Sequence, residues 1–243
     1  MITLEVCIDS VESALAATEA GADRLELNAA LELGGLTPSP GLVAEVLAVT
    51  TLPVIAMLRP RAGDFVYSDD EFRVIRRDAE ALLTAGVAGL AFGFLDEFGN
   101  IDRHRTYAIT AVMNGKESVF HRAFDLVPSL HFALEEVIDL GIWRVLTSGG
   151  AETAIAGIPQ LSRLNAQAVD RIEILAGAGI KASNVRRLVD GAGCKQVHGT
   201  FRGPGAYTGS PGASDATGLS AFRAPASPGA SVDEIRAVRK ALS

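Results

Sequence analysis

Residues 3–28 read TLEVCIDSVESALAATEAGADRLELN, and the fold is decided in this stretch. TLEVCI and RLEL alternate apolar with polar or charged residues, the period of a strand with two different faces. Between them Val11 to Ala20 runs at helical spacing. A strand, a helix and a second strand at this separation form a right-handed βαβ unit, which makes the two strands parallel. The pattern recurs at PVIAML, GLAFGFL, SVFHRA, RVLTSG, RIEILAG and KQVHGTF. Eight strands, each followed by a helix-period segment, in 243 residues predict an α/β chain: a single-domain (β/α)8 TIM-type barrel.

Helix starts can be read as well. Ser68 with Glu71 forms a capping box, Asp9 and Glu12 resemble a second capping pair, and Pro128 is expected to open a helix with Leu130, Leu134, Val137 and Ile138 on one face. The barrel is expected over residues 1–202. Residues 203–230, rich in Gly, Pro, Ser and Ala and without periodicity, are expected to be mobile. Ser231 and Glu234 then cap a helix, and residues 231–243 are expected to dock back on the barrel.

A hydrophobic content of 48% excludes disorder for most of the chain. With 29 acidic against 22 basic residues the net charge is −7, which argues against nucleic acid and against an anionic membrane surface as partners. No apolar run reaches the roughly 18 residues of a spanning helix. The opening MITLEVCID carries Glu5 and Asp9 and no basic leader, so a cytoplasmic protein is expected. Two cysteines, Cys7 and Cys194, are too few for a disulfide framework and are expected to be reduced thiols.

Strand alternation turns Leu4, Val6 and Ile8 toward the helices and Thr3, Glu5, Cys7 and Asp9 into the barrel. Arg24, Glu26 and Asn28 follow on the second strand, and Met57, Arg59 and Arg61 share one side of the third. Buried charge of both signs has two readings. One is an ion-pair network of Glu5 and Glu26 against Arg59 and Arg122. The other is a polar site at the C-terminal mouth of the barrel, where TIM-type enzymes place their chemistry. In the second reading Glu5, Arg59, His121, Asp125 and His198 are the candidate catalytic groups, with His121 or Glu5 transferring the proton, Asp125 fixing the His121 tautomer and Arg59 clamping a carboxylate, phosphate or enolate oxygen. The matching reaction is a metal-independent proton abstraction, isomerisation or elimination on a small anionic or polar metabolite. An anion site is expected from Gly149, Gly150, Gly177, Gly179 and the helix opening at Asn184, together with Arg202. Cys7, near Met57, is the candidate soft metal ligand.

The blocks EVCIDSVESALAATEAGADRLELNAALELGGLTPSPG, MLRPRAGDFVYSDDEF, FHRAFD, RVLTSGGAETAIAG, LAGAGI and QVHGT, in this order, resemble the CutC family. The resemblance implies a cytosolic TIM-type barrel linked to copper homeostasis and copper ion binding, assembled as a homodimer or homotetramer. Its ligand would be copper or a small molecule. Where the family usually carries a second interior cysteine this chain has Asn28, which reduces the interior thiolates to Cys7 alone and weakens the copper implication.

Overall fold

The computed structural model describes residues 2–203 and 229–243. Eight parallel strands close into one barrel in chain order. They are β1 (Thr3–Ile8), β2 (Arg24–Leu27), β3 (Val54–Met57), β4 (Gly89–Phe92), β5 (Glu117–Phe120), β6 (Arg144–Thr147), β7 (Glu173–Gly177) and β8 (Gln196–Gly199). Helices α1 (Val11–Glu19), α2 (Pro40–Val49), α3 (Asp69–Ala85), α4 (Arg103–Met113), α5 (Leu130–Asp139), α6 (Ile158–Ala168), α7 (Val185–Ala192) and α8 (Val232–Leu242) follow the strands in turn. The expected (β/α)8 barrel is therefore the fold. The segment expected to be mobile, 203–230, lies almost wholly outside the described residues.

The caps show how local chemistry fixes the ends. Ser68 and Glu71 exchange the two hydrogen bonds of a capping box at α3. The pairing of Asp9 with Glu12 does not form: Ser10 caps α1, its hydroxyl accepting from the Ser13 amide at 3.1 Å. Asp9 instead reaches Arg202, 3.3 Å away. Helix α8 buries Ile235 and Val238 against α1 and α7. Arg239 fastens it by donating to the carbonyls of Gly21 and Ile2 and by pairing with Asp23 at 2.6 Å.

Strand alternation sorts the barrel as expected. Leu4, Val6 and Ile8 join the large apolar layer between strands and helices. The interior is uneven. Ile55, Met57, Ala91, Val119, Leu146 and Leu175, from β3 to β7, form a second, purely apolar cluster. The arc β8–β1–β2 is polar: registers place Glu5 beside both His198 and Arg24, and Cys7 beside Glu26. At the N-terminal end Arg144 sits between Glu117 at 2.7 Å and Glu173 at 3.0 Å.

The ion-pair network differs from the expected one. Glu5 pairs with Arg24, whose Nη2 also donates to Gln196 at 2.7 Å. Arg59 and Arg122 take no part in it. The cause is register: β1 and β2 are neighbours, and Glu5 and Arg24 face each other across them.

Candidate functional site

The polar arc ends in a cavity of about 220 Å³ at the C-terminal mouth. Its walls include Cys7, Glu26, Asn28, Met57, Arg59, His121 and His198. One ligand-type atom each from Cys7, Glu26 and His198 lies within 4.8 Å of the other two, and all three residues are buried.

His198 is oriented from below. Its Nδ1 lies 2.8 Å from the Glu5 carboxylate, so the ring turns Nε2 toward Glu26, 3.9 Å away. A carboxylate behind an imidazole fixes the tautomer and sharpens the outward nitrogen as a ligand. Burial opposes a charge on His198, but Glu26 and Glu5 outweigh it and raise its pKa above the ordinary imidazole value. Glu5 is buried too, yet Arg24 first and His198 second hold its pKa down at about 2. The Cys7 thiol is pushed well above its usual range, chiefly by burial and then by the neighbouring Glu26. Asn28 donates from Nδ2 to Cys7 Sγ at 3.3 Å and to Glu26 Oε2 at 2.8 Å, while Glu26 Oε1 has no partner. The donor set is one thiol, one imidazole and one carboxylate. Thiol and imidazole are ligands of copper and zinc, and a metal there would displace the Cys7 proton.

The other candidate residues are placed differently. Arg59 is buried, and its guanidinium donates to the carbonyls of Leu33 at 3.0 Å, Gly35 at 3.2 Å and Gly63 at 2.8 Å. It thus ties two mouth loops together. His121 Nδ1 accepts from the Ala123 amide at 3.2 Å, so a backbone group and not Asp125 sets its tautomer. Burial, aided by Arg59, lowers the His121 pKa to about 3, and the ring is neutral near pH 7. Phe65 packs on it with ring centroids 4.8 Å apart.

Asp125 is turned into the loop after β6. It accepts from Thr147 Oγ1 at 2.5 Å, the Ser148 amide at 3.1 Å and the Gly150 amide at 3.0 Å, and it pairs with Arg122 at 2.8 Å. The Gly149 amide donates to Thr147 Oγ1. The amides of Gly149 and Gly150, expected to receive an external anion, are therefore occupied by the protein's own oxygens. Glu5, Arg59, His121 and Asp125 do not form one constellation: Glu5 faces Arg24 and His198, and Asp125 faces the β6 loop.

Of the remaining anion-site residues, Gly177 leaves room inside the barrel, since a Cβ there would stand 2.6 Å from Leu146 Cδ1. Gly179 needs its freedom for φ +69° in the following turn. Asn184 pins that turn, accepting from the Lys181 amide and donating to the Gly179 carbonyl, both at 2.9 Å. Gly179, Lys181, Arg122, Arg202 and His198 line a second cavity of about 540 Å³ beside the first.

Strand alternation alone does not bring His198 close to Cys7. The signal for that approach lies in barrel closure, which makes β8 the neighbour of β1. Alternation likewise turns Arg24 inward without marking it as the partner of Glu5.

Residues 2–203 match the CutC family profile. A copper homeostasis protein cutC homolog from Homo sapiens is 43% identical over 199 residues, covering 82% of this chain and 73% of that one. A CutC family protein from Vibrio vulnificus strain YJ016 is 45% identical over 197 residues, covering 80% and 79%. A crystal structure of a CutC protein from Streptococcus agalactiae superposes with a TM-score of 0.79 at 32% identity, covering 82% of this chain and 99% of that one. Among the described residues no helix is long and apolar enough to cross a membrane.

Proposed function

The chain belongs to the CutC family, and from that premise we propose that it serves copper homeostasis by binding copper inside its barrel. The ligands are Cys7 Sγ and His198 Nε2, with the Glu26 carboxylate beside them. The observation that carries this reading is the clustering of these three buried groups on the adjacent strands β8, β1 and β2. Asn28 removes the second thiolate expected from the family pattern, and the imidazole of His198 takes over as the second donor. Cu(I) accepts thiolate readily, and imidazole also suits copper. The raised pKa of His198 reports a recess that already favours a cation on this ring, and copper replaces that proton.

Competition against a Cu(I) chelator under reducing conditions tests the proposal. One copper per chain is expected, with binding abolished in Cys7→Ser and weakened at least about tenfold in His198→Gln. Binding left unchanged by both substitutions, or no binding by the folded parent, would overturn it.

A further inference from the structure

Three arginines are buried among the described residues: Arg24, Arg59 and Arg144. Arg24 faces Glu5, and Arg144 faces Glu117 and Glu173. Arg59 has no carboxylate partner among the described residues. Its donors go to three backbone carbonyls, and its guanidinium lies 5.0 Å from the centre of the Phe65 ring. A buried charge without a counter-charge is costly, and carbonyl dipoles offset only part of that cost.

The unpartnered polar atoms point to the same place. Five buried side-chain nitrogens or oxygens among the described residues lack a hydrogen-bond partner. Four belong to residues lining the 220 Å³ cavity: Glu26 Oε1, Asn28 Oδ1, Arg59 Nε and His121 Nε2. Two of the four, on Arg59 and His121, are donors, and the other two are acceptors on Glu26 and Asn28. Arg59 Nε always carries a proton. His121 Nε2 carries one because Nδ1 is taken as an acceptor by the Ala123 amide. Phe65 packs against both side chains. Buried N–H groups left without acceptors are rare and call for a partner.

From the unpaired Arg59 guanidinium and the two orphaned N–H donors, we infer that this cavity binds a small organic carboxylate, one oxygen accepting from Arg59 Nε and His121 Nε2. The carboxylate supplies the missing counter-charge. The volume, room for about seven waters at ~30 Å³ each, limits the ligand to about four carbons. Met57, Leu146 and Leu31 give its carbon chain an apolar wall. The guanidinium is fixed by carbonyls from two loops, so little ordering is needed on binding.

Calorimetric titration of the metal-free protein with lactate, malonate and inorganic phosphate, at matched ionic strength against chloride, tests the inference. Lactate or malonate is expected to bind one-to-one with a Kd below about 1 mM. His121→Phe, which keeps a ring against Phe65 but removes the donor, is expected to weaken it at least about tenfold. A second measurement needs no variant: the ¹⁵N-edited signal of the His121 Nε2–H should shift on adding the carboxylate. No carboxylate binding below about 10 mM would overturn the inference, as would binding of phosphate alone. Undiminished binding by His121→Phe, or an unmoved His121 signal, would do the same. Because no metal is present, such a failure leaves the copper reading standing.

Discussion

Replacing Arg24 by Met keeps most of the side-chain volume inside the barrel and removes the main counter-charge of Glu5. Glu5 is 1% exposed, and its remaining contact is with His198 Nδ1. Arg24 is the largest of the causes that hold the Glu5 carboxyl at about 2 against an ordinary 4.5. A displacement of that size corresponds to about 3 kcal/mol of stability near neutral pH. Breaking a buried pair from one side costs about 3–5 kcal/mol in other proteins, a consistent figure. At about 2–4 °C per kcal/mol for a chain of this length, Arg24→Met should lower Tm by about 6–12 °C or more. The sign with pH is fixed. Because the folded pKa of Glu5 lies below its unfolded value, this stabilisation is present above about pH 4.5 and is lost as pH falls toward 2. The gap between parent and variant should therefore close in acid. Adding Glu5→Gln to Arg24→Met removes the stranded charge and should recover most of the loss at pH 7. Urea unfolding of the three proteins across this pH range decides the matter. A cost below about 0.5 kcal/mol at pH 7, or no recovery in the double variant, would refute the reasoning.

Three further outcomes follow. Asn28→Cys places a second thiol beside Cys7, whose Sγ is 3.3 Å from Asn28 Nδ2, and should tighten Cu(I) binding at least about tenfold in chelator competition. Gly93→Ala sets a Cβ 2.6 Å from the His121 ring and 2.9 Å from Ala123 Cβ, so calorimetric unfolding should show a loss of about 1–3 kcal/mol. Asp125→Asn weakens charge-assisted bonds to the Ser148 and Gly150 amides and should cost about 1.5–3 kcal/mol, while copper binding stays at the parent level.

The barrel was legible because its signal is local and repeated. Alternation in TLEVCI is enough to send Cys7 and Glu5 inward, and β-strand geometry allows no other arrangement for a strand whose two faces differ. What failed to read was partnership across distance. Glu5 met Arg24 and not Arg59 because strand register, a property of the closed sheet, decides which charges oppose each other. Asp9 and Ser10 both offer a capping oxygen one residue apart. Arg202, 193 residues away, draws Asp9 off and leaves the cap to Ser10. Asp125 looked like the orienting partner of His121, four positions earlier. The turn after β5 instead aims it at the amides after β6, where it satisfies donors that a glycine pair seemed to offer to a ligand.

Copper K-edge absorption of the protein loaded with one equivalent of Cu(I) tests the central claim most directly, because it counts the atoms around the metal. With Cys7 and His198 as ligands the spectrum should show one sulfur per copper together with nitrogen or oxygen neighbours, and His198→Gln should remove the imidazole scattering. A site of two sulfurs per copper, or one without sulfur, would contradict the account.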